Sequence, residues 1–324
     1  MAFEVSGLTA YTEQNEQDLV VRSLFDATTQ RLIQAQGNVM LGVKSSQTVN
    51  RMDTDVFFQS DSACGFAPSG TTEFTQRSLT VGKIKVQEAL CQKDLDAFYL
   101  QKALPAGSTY DSFAFAADYT ALKTAKIAEA LEEAIWQAVG SGYGGTNGLL
   151  NKFKGIKQHI SEAGGTVVDA NTTGFYGTPA TGITTATIAK NAVKAVIKAL
   201  PAKIQGKSDV RIFCGYDVFN LLIDSYVDAN LFHFQPDAKS DDQSLPAFTV
   251  PGTSYKVIPV HGLDGTNDIY AFRLSNIFLG TDILNEEEQW QMWYSQDDMN
   301  VKFHAAFKIG VQFAYMDEIV KFEA

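Results

Sequence analysis

The chain has little cysteine and no long apolar run, and each shortage argues against a class of protein. Cys64, Cys91 and Cys214 are far apart and form no Cys-x-x-Cys pair, so we expect buried free thiols and no disulfide framework or zinc site. No apolar run approaches the length of a membrane span, and the N-terminus lacks a basic region followed by an apolar stretch. We therefore expect a cytoplasmic protein that does not contact a membrane.

Basic residues are also in deficit. The 324 residues include 26 basic and 37 acidic ones, a net charge of −11, which argues against a protein that grips nucleic acid by its phosphates. Residues 281–300 carry six acids and no Lys or Arg. Two interpretations stay open for that segment: a solvated rim, or a contact for a basic patch on a neighbouring subunit.

Recognisable catalytic and cofactor motifs are scarce. Gly140, Gly142 and Gly145 spell Gly-x-Gly-x-x-Gly, but nucleotide-binding folds place a strand before this pattern, whereas here a predicted helix precedes it. We expect these glycines to end that helix. The histidines are dispersed, and neither a nucleophile elbow nor a catalytic triad can be nominated. The sequence therefore predicts no enzyme, no cofactor and no metal, with a nucleotide-binding enzyme that uses residues 140–148 as a less favoured alternative.

Two long amphipathic elements stand out. Every odd position of residues 301–315 is apolar, which predicts a strand of roughly 50 Å with one buried face. Residues 112–139 predict a helix of roughly 40 Å with an apolar stripe. We expect the stripe to pack on the odd face of the strand, and the polar even positions to point toward solvent, DNA or a neighbour. The stripe includes Ile127, Leu131 and Ile135, and the even positions include Lys302, His304 and Lys308.

Residues 43–90 predict a long hairpin. The strand candidates are residues 55–59 and 74–86, on either side of a tip that contains glycine and proline. Such a hairpin has too few apolar side chains to bury itself and would need another subunit to lie on. Helical spacing gives its charged residues no local partner, so they are candidate inter-subunit contacts. They are Arg51, Asp53, Glu73, Arg77, Lys83 and Lys85.

The middle of the chain, from residue 149 to about 279, alternates predicted strands and helices. Thr184 or Thr185 can cap a helix that runs to Leu200. Lys190, Lys194 and Lys198 repeat along one side of this helix, which indicates either a solvated face or a basic stripe that touches DNA, scaffold or a neighbour. The other expected elements are strands at 209–214, 255–260, 269–272 and 318–322 and a helix at 216–227.

Taken in order, these elements resemble the HK97-fold major capsid proteins of tailed bacteriophages. Residues 140–150, 210–219, 257–260 and 267–282 carry the resemblance by their order and spacing. It implies an α+β fold. Its parts would be an N-terminal arm (1–42), an extended hairpin or E-loop (43–90), P-domain helices with a spine helix (91–141), an α/β A-domain (142–279), long P-domain strands (280–315) and a final strand that rejoins the A-domain (316–324).

The resemblance also implies a function. The chain would assemble as hexamers and pentamers into an icosahedral shell around double-stranded DNA, within a virion built in the host cytoplasm. Implied partners are a separate scaffolding protein, a portal, decoration proteins and DNA held without sequence specificity, with Lys190, Lys194 and Lys198 as an inner basic stripe. An encapsulin-type compartment is the alternative.

Some members of this family cross-link subunits covalently. In such a reaction Lys83 or Lys85 and Asn300 could pair, but Phe307 stands where the assisting carboxylate would be needed. We therefore expect no cross-linking in this chain.

Overall fold

The computed structural model describes residues 27–59, 68–91, 112–140, 148, 150–228, 246–282, 290–295, 297 and 300–324. Within these ranges the helices are α1 (Thr28–Ala35), α2 (Ser112–Gln137), α3 (Ile156–Ala163), α4 (Ala186–Ala199) and α5 (Tyr216–Asp228). The strands are β1 (Val39–Leu41), β2 (Ser46–Thr54), β3 (Thr72–Thr80), β4 (Gly82–Cys91), β5 (Val168–Asp169), β6 (Val210–Cys214), β7 (Phe248–Thr249), β8 (Lys256–Pro259), β9 (Ile269–Arg273), β10 (Ile277–Thr281), β11 (Trp290–Ser295), β12 (Asn300–Phe313) and β13 (Val320–Phe322). Half of the predicted acidic segment 281–300, with four of its six acids, lies outside the described residues.

Strand β12 is the central beam of a five-stranded sheet. β11 pairs with residues 300–305 of β12 and β4 pairs with residues 300–309, so these two strands lie on opposite sides of β12, while β10 pairs with its last five residues. Each odd residue from Val301 to Phe313 is at most 2% exposed, so the predicted alternation is confirmed. The strand ends at Phe313, two residues earlier than predicted, because the Asn276 amide takes both backbone bonds of Tyr315: the Tyr315 N–H donates to Oδ1 at 2.7 Å, and Nδ2 donates to the Tyr315 carbonyl at 2.6 Å.

The long helix α2 packs on the buried face of this sheet, as the sequence predicts. Ile135 and Leu131 belong to one buried cluster with Phe303 and Phe307 of β12, and the ring of Tyr119 meets that of Phe303 edge-on at 5.7 Å. The helix ends at Gln137, slightly before the predicted residue 139.

Helix α1 belongs to the main core and is not part of a detached arm. Leu32 and Ile33 lie in the same buried cluster as the stripe of α2. Thr29 donates to the buried carboxylate of Glu132 from its backbone N–H at 3.0 Å and from its hydroxyl at 2.5 Å, and Trp136 Nε1 donates to the Thr29 hydroxyl at 2.8 Å. Burial raises the pKa of Glu132 and the two bonds from Thr29 oppose that rise. The end of the predicted arm at residues 28–35 is thus fixed to the long helix.

The second sheet has six strands in the order β5-β13-β9-β6-β8-β7. All five residues of β6 are buried, as expected of a strand covered on both faces. Helices α4 and α5 contribute Val196 and Leu222 to its core. Thr185 caps α4 by accepting from the Ile188 N–H at 3.4 Å, which confirms the predicted start. This region is α/β in layout, as the alternating pattern predicts.

The ring of Trp136 joins the two sheets. The centre of this ring lies 5.3 Å from that of Phe213 and 6.0 Å from that of Tyr270, and both of these residues belong to the six-stranded sheet. The helix that carries Trp136 covers the five-stranded sheet. Gly262 allows this contact, because a Cβ there would overlap the indole ring. The core therefore runs continuously from one sheet to the other.

Strands β2 and β3 form a separate two-stranded hairpin, paired from Ser46↔Thr80 to Thr54↔Thr72. Its root crosses the five-stranded sheet where Gly280 of β10 faces Gly310 of β12. A Cβ at Gly280 would overlap the Leu79 side chain, and one at Gly310 would overlap the Thr80 carbonyl. These two glycines form a saddle that lets the hairpin root sit directly on the sheet.

Two strand predictions in this region are wrong. Residues 55–59 form no strand, although two of them are phenylalanines; the first hairpin strand is β2, a polar segment. Residues 74–86 are not continuous either, because Val81 separates β3 in the hairpin from β4 in the larger sheet. The expected boundary between residues 279 and 280 falls inside β10. The division into arm, E-loop, P-domain and A-domain otherwise stays a prediction, and residues 92–111 of the expected P-domain helices lie outside the described residues.

Among the described residues, no helix combines the length and the apolar character that crossing a bilayer would require. In the same ranges, no group of three or more His, Cys, Asp or Glu side chains is arranged to hold a metal ion.

Candidate inter-subunit surfaces

The hairpin of β2 and β3 is buried only at its root. Val49 and Leu79 pack with Val81 and Ala314 in a small cluster on the sheet. Beyond that cluster nearly every residue of both strands is exposed. A two-stranded ribbon with no covered apolar face is marginal in water. We call residues 52–59 and 68–75 the distal hairpin, since none of their side chains belongs to a buried cluster of the described residues.

The distal hairpin exposes large apolar side chains. Met52 and Phe74 pair directly across the two strands and line a surface groove of about 310 Å³. Burying apolar surface is worth about 25 cal/mol per Å², and contiguous exposed patches commonly mark interaction sites. The exposed fractions are 55% for Met52, 76% for Val56, 74% for Phe57, 94% for Phe58 and 75% for Phe74.

The distal hairpin is also acidic. The sequence has no Lys or Arg between Arg51 and Arg77, whereas Asp53, Asp55 and Glu73 fall in that stretch. Asp53 and Glu73 are paired directly across the strands, a like-charge arrangement that destabilises an isolated ribbon. A partner with apolar surface and positive charge would relieve both problems.

Two of the predicted contact residues have partners within their own chain. Arg51 Nη2 lies 3.1 Å from Asp53 Oδ2, because residues two apart in a strand share a face. Arg51 Nη1 also lies 3.4 Å from Asp317 Oδ1, in the turn after β12. Arg51 is therefore engaged at the root of its own hairpin, and its contact with a neighbouring subunit stays a prediction.

Arg77 lies at the root beside a cavity of about 520 Å³ between the hairpin, α3 and β12. Burial and the nearby Arg51 lower the pKa of Arg77, while Asp317 acts in the opposite direction. His159 lines the same cavity, and burial lowers its pKa to about 4. The hairpin root is thus partly desolvated and rich in positive charge.

Lys83 and Lys85 lie on β4 and not on the hairpin. In the β4–β12 register Lys83 pairs with Lys308, and His304 pairs with Gln87. Side chains of paired residues share one face, so these lysines stand beside the even face of β12. We call the set the basic sheet face. It comprises Lys83, Lys85, Lys302, His304 and Lys308.

The expectation that the even face of β12 points freely outward is partly wrong. Lys308 Nζ lies 2.5 Å from Asp282 Oδ2, and this aspartate is almost completely buried. His304 Nδ1 lies 3.2 Å from the side-chain amide of Gln87. Lys83 and Lys85 are exposed and make no ion pair with the described residues. The exposed charge of the basic sheet face thus comes chiefly from β4.

Lys190, Lys194 and Lys198 are carried on α4, on the side away from the six-stranded sheet. Lys194 and Lys198 are exposed and have no acidic partner among the described residues, while Lys190 Nζ lies 5.2 Å from the centre of the Tyr226 ring. The stripe exists as predicted, and its role as an inner, DNA-facing surface stays a prediction.

The competing cofactor and cross-linking sites gain little from the geometry. Gly140 has a positive φ of 79° and follows the end of α2, as expected for a helix stop. Gly142 and Gly145 lie outside the described residues. Phe307 is buried in the core under β12, so position 307 offers no carboxylate for a reaction between lysine and Asn300.

Sequence reasoning missed three groups at the hairpin root. Tyr315 and Asp317 bind β2 from the turn after β12, and the Gly280–Gly310 pair forms the saddle below β3. Two glycines at matching positions of adjacent strands are a signal of close backbone approach, but it becomes readable only once the strand register is known.

The sequence matches no family model and no curated protein. Among solved structures, the chain is similar to a chain of the procapsid of satellite phage P4, with a TM-score of 0.57, 12% identity and coverage of 100% of this chain and 92% of that chain. A chain from the capsid of Myoviridae phage XM1 matches with a TM-score of 0.53, 12% identity and coverage of 90% of this chain and 92% of that chain. A chain from the capsid of a native GTA particle matches with a TM-score of 0.51, 15% identity and coverage of 90% of both chains. At these identities the matches show the fold, and the expected α+β capsid fold is confirmed.

Proposed function

We propose that this chain is a major capsid protein, a structural subunit that self-assembles as hexamers and pentamers into a shell around double-stranded DNA. The observation that carries the proposal is the distal hairpin, which exposes aromatic and acidic side chains that its own chain leaves uncovered. The fold shared with phage capsids supports the same conclusion. The chain acts by making contacts, and we assign it no catalytic step, cofactor or metal.

The distal hairpin docks on a neighbouring copy in this proposal. The neighbour's basic sheet face offers the complementary charge through Lys83 and Lys85, and Trp293 at the edge of that sheet offers apolar surface. The distal hairpin and the acceptor face are different surfaces of one chain, so the contact is heterologous. Heterologous contacts close into rings when the rotation between subunits allows it, which fits hexamers and pentamers.

The proposed partners follow from the shell. A separate scaffolding protein, a portal and decoration proteins would complete assembly in the host cytoplasm, and the product would be a virion capsid. The stripe of Lys190, Lys194 and Lys198 contacts DNA without sequence specificity. The net charge of −11 keeps such contacts weak, so packaged DNA can move.

The proposal is tested by expressing the chain alone and with a scaffolding protein, followed by size-exclusion chromatography and electron microscopy. We expect rings or closed particles under at least one condition. A strictly monomeric or dimeric protein under both conditions would refute the proposal. Nuclease-protected DNA in particles purified from an infected or producing host distinguishes a capsid from an encapsulin-type compartment, which would hold protein cargo.

A matched pair of variants tests the distal hairpin itself. Phe57→Ser combined with Phe58→Ser removes two exposed rings, and we expect particles to be lost while the subunit stays folded. Val227→Ser, at another exposed apolar side chain, is the control and should leave particle yield unchanged. Equal yields from all three proteins would mean that the distal hairpin does not drive assembly.

A further inference from the structure

The hairpin root is tied to the turn that follows β12 by several polar contacts. Tyr315 Oη donates to the Met52 carbonyl at 3.2 Å, and the Arg51 guanidinium lies 4.8 Å from the centre of the Tyr315 ring. Gln312 Nε2 donates to the Ser78 carbonyl at 2.9 Å. Both strands of the hairpin are therefore held, β2 through Met52 and β3 through Ser78.

Asp317 extends this connection to the six-stranded sheet. It lies in the short helical turn Met316–Glu318, directly before β13. Its Oδ1 lies 3.4 Å from Arg51, while its Oδ2 lies 3.9 Å from Lys203 in the loop after α4. One carboxylate thus stands between the hairpin and the α/β region.

The charges around Asp317 predict that the hairpin shifts when this carboxylate is removed. Arg51, Arg77 and Lys203 all lie close enough to interact with it, and Arg51 and Arg77 repel each other. Without the carboxylate the attraction of Arg51 to the turn disappears and the repulsion between the two arginines stays. Both changes favour movement of β2 away from the turn.

The saddle of Gly280 and Gly310 fixes the point about which such movement would occur. The hairpin root rests there on backbone, through Leu79 and Thr80, without intervening side chains on the glycines. A ribbon held at one close contact can still tilt about it. The polar contacts on the other side of the root set the tilt angle.

We propose that Asp317 is a positioning residue that fixes the angle between the hairpin and the six-stranded sheet, with Arg51 and Tyr315 as its partners on the hairpin side. The subunit therefore presents its distal hairpin in one preset direction before it meets a neighbour. The orientation in the free subunit is a claim about one chain, whereas its consequence for shell geometry rests on the proposed function.

The test measures a distance distribution by pulsed electron paramagnetic resonance in the unassembled subunit. Spin labels are placed by Thr75→Cys on β3 and Lys198→Cys on α4, both at exposed positions, after Cys64 and Cys91 are changed to serine. Cys214 is completely buried and stays unlabelled. We expect one narrow distribution for this parent protein and a broadened or shifted one for Asp317→Asn.

Two further variants make the result decisive. Arg51→Met removes the hairpin side of the ion pair and should reproduce the Asp317→Asn change. Asp53→Asn removes the other carboxylate near Arg51, which lies on the hairpin itself, and should leave the distribution narrow. Unchanged distributions in both Asp317→Asn and Arg51→Met would overturn the proposal, as would equal broadening in Asp53→Asn. Circular dichroism confirms that each variant is folded.

Particle assembly provides a separate readout. If the parent chain forms shells, Asp317→Asn should give fewer particles or particles of mixed size, while Asp224→Asn, at an exposed carboxylate of α5, should resemble the parent. Uniform shells from Asp317→Asn with parental yield would contradict the preset angle. Failure of the parent to assemble would count against the proposed function alone, because the distance measurement uses single subunits.

Discussion

The hairpin and the six-stranded sheet are both built on β-strands, but they are stabilised in opposite ways. In the sheet, β6 is buried at every residue and helices α4 and α5 cover it. In the hairpin, burial stops at Val49 and Leu79, and the residues beyond expose apolar and acidic side chains. The sheet supplies its own stability, whereas in the proposed assembly the hairpin gains stability from a neighbouring copy. The exposed aromatic residues of the hairpin are the feature that such an assembly would explain.

The largest difference in stability between the two regions should appear when one aromatic ring is removed from each. Phe213→Ala in β6 should lower the free energy of unfolding by about 3–5 kcal/mol, because it leaves a cavity beside Trp136 and Phe272. Phe58→Ala in the distal hairpin should change it by less than about 0.5 kcal/mol. Urea unfolding of the unassembled subunit measures both. Similar losses for the two variants would contradict the contrast.

Acid should affect the hairpin root more than the exposed part of the ribbon. Burial lowers the pKa of His159 to about 4 in the folded chain, below the ordinary value of 6.5, so between these values the unfolded chain binds a proton that the folded chain does not. Stability should therefore fall as the pH drops from about 6.5 to 4, by at most about 3 kcal/mol.

The acid limb is the part of the stability curve between about pH 6.5 and 4, where the free energy of unfolding falls. His159→Gln should flatten this acid limb when the free energy of unfolding is measured at several pH values. His304→Gln, on the partly exposed even face of β12, is the control and should leave the limb as steep as in the parent. An acid limb that is unchanged in His159→Gln would show that another group is responsible.

The saddle can be tested by adding a single methyl group. Gly310→Ala should destabilise the subunit by about 1–3 kcal/mol, because the new Cβ would overlap the Thr80 carbonyl and push the hairpin root off the sheet. Gly174→Ala, where no heavy atom beyond the adjacent residues lies within 4 Å of the added carbon, is the matched control and should be nearly neutral. Thermal unfolding of both variants shows whether the backbone contact at Gly310 leaves room for a methyl group.

The smallest expected effects concern the hydrogen bonds of buried polar side chains on helix α1. Gln30 on α1 is completely buried, and neither its amide oxygen nor its nitrogen has a hydrogen-bond partner in the described structure. Gln30→Met should raise the free energy of unfolding by about 1 kcal/mol. Thr29→Val, which removes the hydroxyl that serves Glu132 and Trp136, should lower it by about 1 kcal/mol. A loss of stability in Gln30→Met would indicate a hidden partner for the amide.

Elements with a strong hydrophobic period could be predicted from the sequence. The alternation in β12, the stripe of α2 and the Thr185 cap each reflect burial or bonding within one element, so they can be read without knowing its neighbours. The hairpin strands were less readable. β2 is polar because little of it is buried, and Phe57 and Phe58 suggested a strand where the chain instead exposes them.

The root contacts could not be predicted, because they join residues that are far apart in sequence. Arg51 and Asp317 are brought together only by the crossing of β3 over Gly280 and Gly310, and nothing in the spacing of either residue indicates that pairing. For a related reason, the sequence pattern places the exposed lysines of β4 in the predicted hairpin. The break at Val81 reflects a change of sheet, which local propensity does not register.

The most direct test of the central claim is a cryo-electron microscopy reconstruction of the assembled particle at a resolution that traces the chain. We predict that the distal hairpin lies on a neighbouring copy, with Phe57, Phe58 and Phe74 covered and Glu73 close to Lys83 or Lys85 of that copy. A reconstruction in which these side chains stay in solvent, or fold back onto their own subunit, would contradict the account.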